Sequence, residues 1–112
     1  LYEKQLKRLL GRGNPDASAI RVGYANMRPH LEYLGWLAET RAWLAGGQVS
    51  LADFAAAAHL SALDFIGDVD WSVNDAAKDW YARMKSRPNF RGLLADRVSG
   101  LTPPAHYADL DF

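Results

Sequence analysis

The chain has 112 residues, 49% of them hydrophobic, which suits one domain with a single packed core, and its thirteen basic residues balance thirteen acidic ones. With no net field, neither nucleic acid nor an anionic membrane surface is an expected partner. Having no cysteine, it can form no disulfide, thiolate nucleophile or cysteine-held metal site, and a cytoplasmic location is the expectation.

The opening segment "LYEKQLKRLL" sets Tyr2, Leu6, Leu9 and Leu10 on a helical stripe, with Lys4, Lys7 and Arg8 elsewhere on the wheel. It reads as the middle of a helix with no cap ahead of it, and the chain starts at Leu1, so upstream sequence is expected. "GRGNPD" breaks the pattern. Asn14 or Asp16 can cap the next helix, with Pro15 suited to its first turn, and Ile20, Tyr24, Met27, Leu31, Leu34 and Ala38 then recur at helical spacing. Pro29 lies inside this long amphipathic helix, where it removes a hydrogen bond and predicts a kink over Ala25 to Pro29.

Gly46 and Gly47 close a connection in which Trp43 and Leu44 are expected to fold back on the core. From Leu51 to Phe65 only Asp53, His59, Ser61 and Asp64 are polar, so this helix is expected to run through the centre of a bundle, with His59 a hydrogen-bonded core histidine and the run Ala55 to Ala58 allowing close helix approach. "SVNDAAKDWYARMKS" predicts a further helix with Val73, Ala77, Trp80, Tyr81 and Met84 on one side. Pro88 ends it, and Asn89 can cap a short last helix through Phe90, Leu93, Leu94 and Val98, closed by Gly100. "LTPPAHYADLDF" follows as an extended tail, because paired prolines cannot continue a helix. With no β-alternation and no internal repeat, the fold is expected to be all-α: a helical domain over 1–100 and a tail over 101–112.

Ser50 precedes the apolar helix and Asp53 falls three residues on, the spacing of a capping box in which the carboxylate reaches back to the Ser50 amide; Val49 and Phe54 stand at the positions of a hydrophobic staple. Asp53 is therefore read as structural and not as a catalytic acid. Charge is unevenly spread: Asp53 to Asp79 holds six aspartates and one lysine, while Trp80 to Arg97 holds five basic residues and one aspartate. Blocks this short fit solvated helix faces, and Arg83, Lys85 and Arg87 suit the carbonyl end of a helix. His30, His59 and His106 have no metal-ligand spacing, and no nucleophile motif is present. No metal and no catalytic residue is expected in the chain, which alone should be catalytically inert.

Two stretches carry a resemblance. "LAGGQVSLADFAAAAHLSALDF" followed by "WYARMKSRPNF" resembles the C-terminal helical domain of the glutathione S-transferase superfamily on a glycine turn, Ser50, Asp53, and then Trp80, Arg83, Met84, Arg87, Pro88 and Phe90 in order. The family often has a proline shortly before the tryptophan helix; here Ser72 with Asp75 three residues on offers an alternative cap. The ending "LADRVSGLTPPAHYADLDF" resembles the FzlA-type branch of alphaproteobacteria, and Asp109, Leu110, Asp111 and Phe112 carry most of that likeness.

The resemblance implies a helical bundle, a homodimer, and a non-catalytic bacterial cell-division role through binding of FtsZ filaments, with Lys4, Lys7, Arg8, Asp109, Leu110, Asp111 and Phe112 as contact residues. The tail itself is open to two readings, docked on the body or presented as a peptide-like contact surface. The rival implication is a true glutathione transferase. Glutathione would then be held by an upstream thioredoxin-like domain, no cofactor by this chain, and Tyr2, Tyr24 and Met27 would be candidates for a second-substrate wall or, more simply, for packing.

Overall fold

A computed structural model describes residues 16–96, 102–110 and 112. Its α-helices are α1 (Ala17–Arg41), α2 (Leu51–Phe65), α3 (Asp75–Lys85) and the single turn α4 (Pro88–Arg91); short 3-10 turns occupy Trp71–Val73 and Gly92–Ala95. Among the described residues there is no strand, only one isolated bridge between Trp43 and Gly46. The all-α expectation holds.

Asp16, not Asn14, caps α1: its carboxylate accepts the Ser18 amide at 2.9 Å and the Ala19 amide at 3.4 Å. The helix continues through Pro29 to Arg41 and ends in a sharp reversal at Ala42. There φ is +65° and ψ −43°, and the Trp43 amide bonds the Arg41 carbonyl at 2.7 Å, a tight turn in a region that strains any side-chain-bearing residue. The reversal folds Leu44 into the core and leaves Trp43 partly buried against it, as the sequence predicts.

The core sits where α1 lies on α3, its main helical partner, with α2 also packed against α3. Leu31, Leu37 and Ala38 of α1 meet Ala77, Trp80, Tyr81 and Met84 of α3, and Ala57, Leu60 and Phe65 of α2 complete the cluster. Buried Gly35 lets the helices approach: a Cβ there would overlap the side-chain amide of Asn74. That same amide oxygen accepts the Ala77 N–H at 3.0 Å and is the N-cap of α3. The Ser72–Asp75 alternative is therefore replaced. Ser72 belongs to the preceding 3-10 turn, where its amide bonds Asp70, whereas Asn74 directly precedes the first helical residue and adopts the extended cap conformation.

Three further expectations are corrected. α2 does not run through the centre among the described residues: Leu51, Ala52, Ala55, Ala58, His59 and Ala62 are exposed, and Leu51 is 83% exposed. His59 is thus a surface residue. The buried face is instead the polar one, with Asp53, Ser61 and Asp64 beside Ala57, Leu60 and Phe65, because each of those polar groups has hydrogen-bond partners inside.

The short last helix starts at Pro88, with Arg87 at the cap position and not Asn89, since proline suits the first helical residue, where its missing N–H costs nothing. It is one turn long before tightening to 3-10 through Ala95; Val98 and Gly100 lie outside the described residues. Finally, the tail is not extended throughout. It turns at 105–108, the Tyr107 amide bonding the Pro104 carbonyl at 3.0 Å, and lies on the body with Tyr107 buried and Leu110 and Phe112 packed against the core.

Candidate partner-binding surface

Asp53 is fully buried, and both its oxygens are occupied. Oδ2 accepts the Ser50 amide at 2.9 Å and the Ser50 hydroxyl at 3.2 Å, completing the capping box; Oδ1 accepts the Leu44 amide and the Trp80 indole N–H, each at 2.9 Å. Burial pushes this carboxyl up, but the bonds from Leu44, Trp80 and Ser50 outweigh it and hold it below the ordinary value of 3.8. A carboxylate with four donors has no lone pair left for proton transfer. Asp53 ties the turn after α1, the start of α2 and the middle of α3 into one unit.

A second polar cluster holds the tail. Asp64, also fully buried, accepts the Trp71 indole N–H at 3.1 Å and contacts His106 Nε2 at 3.0 Å through the same oxygen. Tyr107 inserts beside it, its hydroxyl 2.7 Å from Ser61 Oγ and its ring edge-on to Phe65 at 5.3 Å. Lys85 is fully buried despite its charge; its ammonium donates to the His106 carbonyl at 3.1 Å and sits 4.0 Å from the Phe112 ring centroid. Burial depresses the Lys85 amine below 10.5, partly offset by Asp64 and Asp109. Phe112 also meets Trp71 edge-on at 5.4 Å and Tyr81 at 5.8 Å, and Lys78 lies 5.1 Å from its ring. Burial drives the Tyr81 phenol well above its ordinary value.

The expected contact residues divide accordingly. Asp109 is exposed, Leu110 and Phe112 are half-buried, and Phe112 is enclosed by aromatic rings and two lysines. Lys4, Lys7, Arg8 and Asp111 lie outside the described residues, as does Tyr2. Tyr24 lies on α1, but its side chain is outside the description. Met27 is partly buried and, with Leu31, Asp68, Asp70 and Val73, lines a cavity of about 130 Å³. Of the histidines, His30 and His59 are surface residues and His106 belongs to the tail cluster. Among the described residues no group of histidines and carboxylates could hold a metal ion. Nor is any described helix long and apolar enough to cross a membrane.

Asp64, Trp71 and Lys85 were not singled out from the sequence as a site. Lys85 was nonetheless detectable, because it stands four residues after Tyr81 on the same apolar stripe, beside Met84. Asp64 carries a weaker signal, a lone acid in an otherwise apolar turn. Their pairing with His106, Tyr107 and Phe112 spans the chain and left no local trace.

Comparison with known proteins places this geometry in context. Residues 24–88 match the family model "Glutathione S-transferase, C-terminal domain". The chain is 59% identical over its whole length to FtsZ-localized protein A of Caulobacter vibrioides, covering 49% of that protein. The solved structure of FzlA from C. crescentus matches with a TM-score of 0.94 at 58% identity, over 99% of this chain and 49% of that one. A glutathione S-transferase from Rhodospirillum rubrum matches with a TM-score of 0.91 at 52% identity, over 98% of this chain and 49% of that one. One from Sinorhizobium meliloti matches at 0.92 and 51%, over 99% and 50%. The chain spans about half the length of the relatives it matches.

Proposed function

Because the chain belongs to the glutathione S-transferase C-terminal domain family, we propose that it is the helical half of a glutathione S-transferase-fold cell-division protein that acts by binding FtsZ filaments and not by turnover. The observation that carries this reading is the 59% identity, over the whole of this chain and 49% of the relative, to a protein named for its localisation with FtsZ. The chemistry of the described residues is consistent with it. The two buried carboxylates are engaged in holding turns, helices and tail together, which makes them scaffold groups.

In this reading the docked tail is part of the contact surface. Asp109 supplies charge at its exposed edge, with Asp111 a second acid close by in the sequence, and Leu110 and Phe112 fix its course on the body. Lys4, Lys7 and Arg8 form a basic complement to an acidic partner. The parent protein works as a homodimer in the cytoplasm.

The test is co-sedimentation of the full-length parent with polymerised FtsZ, alongside a glutathione-conjugation assay on the same preparation. Filament binding without conjugation is expected, and binding should fall on reversing Lys4, Lys7 and Arg8 to glutamate or on removing the last four residues. Conjugation without filament binding would replace the reading with that of an ordinary transferase.

A further inference from the structure

A cleft of about 600 Å³ opens between the turn after α1, the end of α3 and the tail, lined among others by Trp43, Arg83, Ser86, Arg87, Pro88 and Leu110. Apart from Leu110, which lies on the tail, its lining takes no part in the filament reading. The geometry points to it as a docking site for a short acidic peptide segment, one that carries one or two carboxylates next to a large apolar side chain.

The cleft has one sign of charge, since no residue lining it is acidic. Its two guanidinium groups lie near aromatic rings and not in ion pairs among the described residues. Arg83 lies 4.7 Å from the Trp43 ring centroid, and Arg87 lies 5.9 Å from the same ring and 5.8 Å from that of Phe54. A guanidinium within cation–π distance of an aromatic ring keeps its full charge and its N–H donors, which a carboxylate can accept. Among the described residues neither arginine has a carboxylate partner, and Arg87 Nε is buried without any acceptor. At Arg87 positive charge has therefore lost water without gaining a counter-charge, while Arg83 stays open to solvent, so an incoming carboxylate meets one partly buried cation beside one exposed cation.

The apolar part of the cleft sets the second requirement. Trp43, Pro88 and Leu110 offer a hydrophobic floor beside the arginines, suited to a leucine or phenylalanine anchor. A polyanion such as a nucleic acid strand fits less well. The neighbouring depression, about 400 Å³ and sharing Ala82 with the cleft, is lined by Asp75 and Asp79, with Lys78 as its only cation. A continuous phosphate backbone leaving the arginines in that direction would run onto carboxylates, whereas a short peptide can stop.

The experiment is fluorescence anisotropy of a fluorescein-labelled Glu-Glu-Leu-Glu-Phe peptide with the full-length protein, against the same peptide with glutamine for each glutamate. Saturable binding of the acidic peptide alone is expected. It should weaken about tenfold or more with exposed Arg83→Glu, decline with added salt, and be unaffected by Arg21→Glu, a charge reversal on the outer face of α1. Thermal midpoints of both variants check that each is folded, and Arg83→Gln separates loss of charge from introduced repulsion. Absence of saturable binding, equal binding of the glutamine peptide, or indifference to Arg83→Glu overturns the proposal. Filament sedimentation on the same variants is read separately, so a failure of the FtsZ reading leaves this one standing or falling on its own data.

Discussion

Asp53 answers a question that its neighbours alone pose badly. The Ser50–Asp53 spacing identifies a capping box, and that half was legible because both partners lie within one turn. The other half, acceptance of the Leu44 amide and the Trp80 indole, joins residues 9 and 27 positions apart and has no local signature. Asp53→Ala therefore does more than remove a cap: it leaves two buried donors unpaired and should cost about 4 kcal/mol, read from denaturant unfolding. The sign of the pH effect follows from the depressed folded carboxyl. Its contribution is complete above the unfolded value near 3.8 and is lost as pH falls through the lower folded value. Native protein should thus show an acid unfolding limb below pH 4 that is flattened in Asp53→Ala. An unchanged limb would assign the acid sensitivity to other carboxylates.

At the scale of elements, periodicity located α1, α2 and α3 but misjudged which way α2 faces. Counting apolar residues placed it in the centre. The structure buries its acids and serine and exposes most of its alanines, because a carboxylate met by buried donors, four at Asp53 and two at Asp64, outcompetes a methyl group for an interior position where donors wait. Gly35 was equally silent, since a glycine inside a helix carries no sign of what approaches it. Its role is to admit Asn74, so Gly35→Ala should push away the α3 cap and lower stability by about 2 kcal/mol, despite alanine's better helix propensity. A rise in thermal midpoint for that variant would show that Asn74 can step aside.

Across the whole molecule the tail is the element whose place could not be read ahead. Paired prolines announced an end to helix, yet nothing local indicated that His106, Tyr107 and Phe112 would return to Asp64, Ser61 and Lys85. The tail acts as a closing piece of the core, and removal of Asp109 to Phe112 should lower stability by about 2 kcal/mol through the lost Phe112 packing. Calorimetry of the truncated parent protein measures it. A midpoint equal to that of the native protein would mean that Phe112 adds nothing to the fold.

The enclosure of Lys85 also has a chemical side. Burial lowers its affinity for a proton, which makes it the better nucleophile in principle, yet none of its surface is open to reagent. An acylating agent can reach it only in the fraction of time that the His106–Phe112 segment stands away. Once acylated, the side chain could neither carry charge to the Phe112 ring nor occupy the same space, and the segment could not close over it again. The amine is thus protected by the very piece of chain it retains, and a chance covalent event there would convert a transient opening into a permanent one.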